Sequence, residues 1–310
     1  MLFNFCLQRI HFILQCKNTI VSQRLCLFFT SAIFATMSKP LILVVNDDGI
    51  TAPGIRALVE AVKPLGEVVV VAPDSPQSGM GHAITLNKPL RLKELQLFEG
   101  VKSFQCSGTP VDCVKIAVDK VMHRKPDLCV SGINHGSNSS INIIYSGTMS
   151  AAVEASLEGI PSVGFSLLDY RLEADFTAAA AFSRFIASSL LKYGIPKHTL
   201  LNVNIPNLSL KEIKGLKISR QALAKWEEEY MERVDPMGHP YYWLTGKFVN
   251  HDHGQDTDEW ALANGYVSVV PVQHDLTAHH VIPIINETWD LDAVVDNNDI
   301  PQTNTERFNF

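Results

Sequence analysis

Leu41-Ile42-Leu43-Val44-Val45-Asn46-Asp47-Asp48-Gly49 is the stretch on which the fold of this chain turns. A run of apolar, mostly branched residues reads as a strand buried on both faces. Such a run ends in two adjacent carboxylates when something repays their desolvation, and a cation does so most directly. Gly49 permits a sharp turn, and Pro53-Gly54 followed by Ile55, Leu58, Val59 and Val62 at helical spacing opens a helix. The acid pair therefore falls at the carboxyl end of a first parallel strand, where open α/β sheets place their ligands. Taken alone, the dipeptide also reads as an Asx-rich turn that merely ends a strand.

Further strands follow at Glu67–Ala72, Pro126–Ser131, Ile160–Ser166 and Leu200–Ile205, separated by helical patterns after Pro110, after Thr148 and over Ala174–Lys192. This alternation predicts a three-layer, doubly wound, mostly parallel α/β sheet of Rossmann-like type. Ile84–Leu97 alternates weakly, as a hairpin or edge would. Beyond Pro206 the pattern changes: Lys214–Arg220 and Tyr241–Val249 read as strands, with a charged helical turn expected over Trp226–Glu232. The aromatic run Tyr241-Tyr242-Trp243-Leu244 suits an exposed β-hairpin arm, about residues 222–262, that packs on another subunit.

The chain has 310 residues, 46% hydrophobic and 19% charged, with a net charge of -6 and no basic run. That balance argues against a nucleic-acid polymer as partner but allows a small anion if the site supplies its own cation. Cys106, Cys113 and Cys129 lie in the folded body without CxxC spacing, fitting buried thiols in a reducing, cytoplasmic setting. Residues 1–36 contain no acid and hold an apolar patch at Leu25–Ala35, too short to span a bilayer. They read as an extension upstream of a natural start at Met37, or as a targeting segment. The expected organisation is thus 1–36 as extension, 37–290 as one α/β body carrying the arm, and 291–310 as a polar tail.

Several strand ends carry oxygen ligands: Asn46-Asp47-Asp48 after the first, Ser78 in the loop after the second, Asn134 and Asn138 after a central one. Carboxylate, hydroxyl and carboxamide are hard donors that suit Mg²⁺ or Mn²⁺. Tyr145-Ser146-Gly147-Thr148 opens a helix whose N-terminus offers N–H groups and a positive dipole end to an anion, although the same residues cap ordinary helices. A divalent ion beside an anion-binding turn is the layout for phosphate-ester hydrolysis by water. His251, His253, His279 and His280 read as solvated. His135, next to Asn134, is the histidine placed to polarise a substrate.

In order, Asn46-Asp-Asp-Gly49, Ala72-Pro-Asp-Ser-Pro-Gln-Ser-Gly79, Ser107-Gly-Thr-Pro-Val-Asp-Cys113, Ser131-Gly-Ile-Asn134 and Tyr145-Ser-Gly-Thr148 resemble the SurE family of survival-protein nucleotidases, from about Lys39 to about His279. The resemblance implies a metal-dependent phosphatase acting on nucleoside 5'- and 3'-monophosphates, with some activity on short polyphosphate. It implies one divalent ion, Mg²⁺ or Mn²⁺, held by Asp47, Asp48, Ser78 and Asn134, with Asp47 and Asp48 catalytic. Substrate phosphate contacts come from Asn46, Asn138, Ser146, Gly147 and Thr148, and assembly as a homodimer or homotetramer is expected. One departure stands out: where many relatives carry Gly-Asp-Asp, Asn138-Ser139-Ser140-Ile141-Asn142 has no acid.

Overall fold

A computed structural model describes residues 39–171, 173–289 and 291; the expected extension and polar tail lie outside the described residues except at Leu291. The first strand is β1 (Leu41–Val45), followed by α1 (Pro53–Val62), β2 (Glu67–Pro73), β3 (Leu92–Phe98), β4 (Val101–Cys106) and α2 (Pro110–Ile116). The central strand β5 (Leu128–His135) leads to α3 (Gly147–Leu157), β6 (Ser162–Leu167), α4 (Thr177–Tyr193) and β7 (Thr199–Ile205). Then come β8 (Leu216–Ile218), β9 (Ala224–Val234), β10 (Pro240–Asn250), α5 (Asp258–Ala263) and β11 (Val267–Gln273). The chain divides into two compact units after Val272, the second containing α6 (Ile282–Thr288).

Nine strands form one sheet in the order β3-β4-β2-β1-β5-β6-β7-β11-β8. The β2–β4, β1–β2, β1–β5, β5–β6 and β6–β7 pairings are parallel, as is β11–β8, whereas β3 pairs antiparallel with β4 at one edge. From β1 the chain turns to β2 on one side and later to β5 on the other, so β1 and β5 flank a topological switch point. The crevice beyond their carboxyl ends is where such a sheet accepts a ligand.

Period-two alternation along β1 divides the core into two layers. Ile42 and Val44 pack with Ile55, Leu58 and Val62 of α1 and Ala179 and Ile186 of α4. Leu41, Leu43 and Val45 pack on the opposite side with Val114 of α2 and Ala151 and Ala155 of α3. The expected three-layer architecture is therefore realised. Thr109 caps α2 as its sequence indicates, closing a reciprocal box in which the Asp112 N–H donates to the Thr109 hydroxyl at 3.1 Å and the Thr109 N–H to Asp112 at 2.9 Å. Cys106, Cys113 and Cys129 are buried free thiols. Among the described residues no helix is long and apolar enough to cross a membrane.

Three local readings need correction. Trp226–Glu232 is not a helical turn: it lies within β9, paired antiparallel with β10 along eleven residues as a separate two-stranded ribbon. Its Glu-rich composition favours helix, but the partner strand satisfies its backbone and decides its state. β4 has no counterpart among the strands expected from sequence; it inserts parallel to β2 and takes β3 as its outer neighbour. Asn134 does not follow the central strand but belongs to it, because β5 continues to His135 and pairs Asn134 with Ser166 of β6.

Candidate active site

The acid pair emerges from β1 into a turn that Asn46 closes, its Nδ2 donating to the Gly49 carbonyl at 2.8 Å. The other side-chain atom, Asn46 Oδ1, is buried with no hydrogen-bond partner, an unused acceptor at the head of the site. Asp47 is 4% exposed. Burial first, and the neighbouring Asp48 charge second, push the Asp47 carboxyl up to about 6. Hydrogen bonds oppose this, first the one that Thr148 Oγ1 donates to Asp47 Oδ1 and then those from the backbone of Asp47 and Thr148.

Asp47 also meets the helix that begins after Ser146. Ser146 caps α3 by accepting the Met149 N–H at 3.0 Å. A methyl group at Gly147 would lie 2.7 Å from Asp47 Cβ and 3.0 Å from its Oδ2. Only glycine allows this approach, so the small residue in the Ser-Gly-Thr turn brings the N-terminus of α3 into contact with the carboxylate. Small buried residues behind it, Ala151, Ala152 and Ala155, let α3 lie close against the sheet.

Asp48 faces the end of β5. Its Oδ2 accepts the His135 N–H at 3.3 Å and lies 3.4 Å from His135 Nδ1. The imidazole stands edge-on to Phe176, ring centroids 5.0 Å apart, and its Nε2 is buried without a partner. Next to it, Asn134 Nδ2 donates to the Gly136 carbonyl at 3.0 Å, so its Oδ1 is the atom left for a ligand. Ser78 lies in the exposed loop after β2, tethered by the preceding residue, whose N–H (Gln77) donates to the Asp47 carbonyl at 2.8 Å. Gly81 ties the far end of that loop to the Tyr145 carbonyl at 3.2 Å.

Asn138 is buried in a polar cluster that the sequence reading did not anticipate. Its Nδ2 donates to Ser166 Oγ at 2.7 Å, its N–H to Asn204 Oδ1 at 2.8 Å, and its carbonyl accepts Asn202 Nδ2 at 2.8 Å. Asn202 and Asn204 are held to each other at 2.9 Å on β7. Two asparagines in an otherwise apolar central strand, Leu200-Leu201-Asn202-Val203-Asn204-Ile205, were the available signal. On the outer side, Ser140 donates its N–H to Asp258 at 2.7 Å and its hydroxyl to the Ala222 carbonyl at 2.8 Å. The loop that lacks acids is thus held by acidic side chains from α5, Asp258 and, through Ser139, Glu259.

The structure therefore gathers Asn46, Asp47, Gly147 and Thr148 at the end of β1, and Asp48, Asn134 and His135 across the switch point. Ser78 is attached through its loop and Asn138 through the β6–β7 asparagine cluster. The donor set consists of oxygen atoms, and among the described residues no cluster of three or more His, Cys, Asp or Glu side chains could hold a metal. Two carboxylates with neutral oxygen donors fit a hard divalent ion, and the unpartnered Asn46 Oδ1 and raised Asp47 carboxyl mark a pair short of positive charge. An open groove between α1 and α4, lined by Ala57, Glu60, Phe176 and Arg184, shares Phe176 with the site but holds no carboxylate pair.

Comparison with known proteins gives the same answer as the geometry. The family described as survival protein SurE matches residues 42–228. A protein of Christiangramia forsetii named 5'-nucleotidase SurE is 65% identical over 255 residues, covering 82% of this chain and 98% of that protein. Another of that name from Bacteroides fragilis is 47% identical over 254 residues, covering 82% and 98%. The crystal structure of a SurE protein from Aquifex aeolicus superimposes with a TM-score of 0.70 at 44% identity, covering 80% of this chain and 99% of the other. With the acid pair, the Ser-Gly-Thr helix start and the Gly-Ile-Asn strand end meeting at one switch point, this chain belongs to the SurE family.

Proposed function

We propose that this chain is a divalent-metal-dependent phosphatase of nucleoside monophosphates, a 5'-nucleotidase that also accepts 3'-monophosphates and short polyphosphate. The observation that carries the proposal is the contact between Asp47 and the N-terminus of α3 across Gly147. The positive end of a helix suits a carboxylate in its own right, and the same end suits the phosphate of an anionic substrate, which a cation held by the acid pair would bring beside it.

In this reading Asp47, Asp48, Ser78 and Asn134 hold Mg²⁺ or Mn²⁺. Once bound, the ion supplies Lewis acidity toward a phosphoryl oxygen and acidifies water. The chain's own residues do the rest. Thr148 fixes the rotamer of Asp47 by donating to Oδ1, and the His135 N–H does the same for Asp48. Gly147 and Thr148 at the start of α3 and the Ser146 hydroxyl receive the phosphate oxygens. Asn46 and Asn138 border the same space, with Asn138 held in register by Asn204. Water is the attacking group.

The β9–β10 ribbon exposes apolar side chains on both faces, Tyr241 and Trp243 on one and Tyr230 and Leu244 on the other, which suits assembly into a homodimer or homotetramer. Buried free thiols suit the cytoplasm. The test is phosphate release from adenosine 5'- and 3'-monophosphate and tripolyphosphate by the purified chain with Mg²⁺, with Mn²⁺ and with EDTA. Metal-dependent turnover of the nucleotides is expected. Nucleotide binding without turnover in any metal would instead identify a non-catalytic nucleotide-binding protein.

A further inference from the structure

The rim of the site at Gly136 carries a feature that phosphate chemistry does not use. Gly136 follows Asn134 and His135 and precedes Asn138, so it lies between a proposed metal ligand and a proposed phosphate contact. It has φ of +95°, and a methyl group built on it would lie 2.2 Å from Cε1 of Tyr170 and 2.8 Å from Cδ1 and Cζ. The tyrosine ring thus lies directly against the glycine. Its hydroxyl accepts the Ser137 N–H at 3.4 Å, while 75% of the residue remains exposed. One side of the ring is pressed on backbone and the rest opens to solvent.

The turn that projects Tyr170 is itself braced. Buried Asp169 accepts the Arg171 N–H at 3.0 Å and the Arg171 guanidinium at 2.6 to 3.1 Å. The Gly136 N–H donates to the Leu167 carbonyl at 2.8 Å, stitching the end of β5 to the end of β6 beneath the ring. An aromatic ring braced on one face loses little freedom when a second flat group settles on the other.

We infer that Tyr170 is the platform on which the base of the substrate stacks, a base subsite at the Gly136 rim. The inference rests on the nucleotidase reading and says where the nucleoside lies when its phosphate occupies the Asp47–Thr148 region. An aromatic surface reads a base by its stacking area. Recognition is therefore broad across bases and stronger for purines, whose larger rings cover more of the tyrosine.

Ribose 5-phosphate has the phosphate and sugar but no base, so it separates this subsite from the phosphate site. KM and kcat are measured for adenosine 5'-monophosphate and ribose 5-phosphate with the wild-type chain and Tyr170→Ala, Tyr170→Phe and Tyr145→Ala. Tyr145, directly before Ser146, is another exposed aromatic. Tyr170→Ala is expected to raise KM for the nucleotide about tenfold, within the range of one base stacked on one aromatic ring, with kcat unchanged within about twofold. KM for ribose 5-phosphate should not move, and Tyr170→Phe should behave as wild type. An equal rise for both substrates, no rise, or a nucleotide-specific rise confined to Tyr145→Ala would overturn the inference. If the wild-type chain hydrolyses neither compound, the nucleotidase reading fails. Calorimetric titration of adenosine 5'-monophosphate in EDTA, wild type against Tyr170→Ala, then decides the platform by itself: weaker binding to the variant supports it and equal binding overturns it.

Discussion

Replacing Asp47 with Asn should make the metal-free protein more stable near neutral pH while destroying its activity. In the folded chain the Asp47 carboxyl is pushed up to about 6 from an ordinary 3.8, because burial and the Asp48 charge disfavour ionisation. A folded-state pKa above the unfolded value means the group stabilises the fold below the unfolded pKa and loses that contribution as pH rises through about 6. Two pKa units correspond to about 3 kcal/mol, of which roughly 2 kcal/mol falls between about pH 4.5 and pH 7.5. Asp47→Asn removes the ionisation and forfeits about 1 kcal/mol from the Thr148 hydroxyl's bond to a charged acceptor. The net expectation in EDTA is a variant about 2 kcal/mol more stable than wild type near pH 7.5, with the advantage gone near pH 4.5. Urea unfolding of both proteins across that range reads the difference directly. A pH-independent difference, or a wild type that is the more stable protein throughout, would refute the claim that the apo site stores uncompensated negative charge.

Other consequences are equally specific. Gly147→Ala places a methyl group 2.7 Å from Asp47 Cβ and must part the helix from the carboxylate; turnover should fall at least about a hundredfold, with far-UV circular dichroism unchanged. Asn204→Ala removes the acceptor of the Asn138 N–H and should raise KM more than it lowers kcat, at a stability cost of about 1–3 kcal/mol measured by urea unfolding. Deleting the β9–β10 ribbon should reduce the particle mass seen by light scattering, since it removes the exposed Tyr241, Trp243 and Leu244 surface.

The parts of this account that were legible in sequence are those in which neighbouring residues settle their own structure. Leu41–Val45 reads as a doubly buried strand and Thr109-Pro110 as a helix start, and both are so in the structure, so the place of the acid pair and the layered architecture followed from local pattern. β9 was misread because Trp226-Glu-Glu-Glu-Tyr-Met-Glu has helical composition and its partner strand lies across a turn. Asp47 and Asp48 were recognisable as a pair. Their different settings, one against Thr148 and Gly147 and the other against His135, depend on which loops the sheet order brings together. Asn202 and Asn204 could have been flagged as polar residues in an apolar strand, but their partner, the Asn138 loop, is non-local. Tyr170 had no signal of its own, since its ring acquires meaning only where the fold lays it on Gly136.

The central claim is that Asp47 and Asp48 hold a divalent ion without which the site does nothing. Calorimetric titration of Mn²⁺ into chelator-stripped wild type and Asp48→Asn, with phosphate release from adenosine 5'-monophosphate measured on the same samples, tests it most directly. Wild type should bind one ion per chain and gain activity in proportion to occupancy, and Asp48→Asn should lose both binding and turnover while staying folded. Full hydrolysis by stripped wild type, or by Asp48→Asn that binds no ion, would contradict the account.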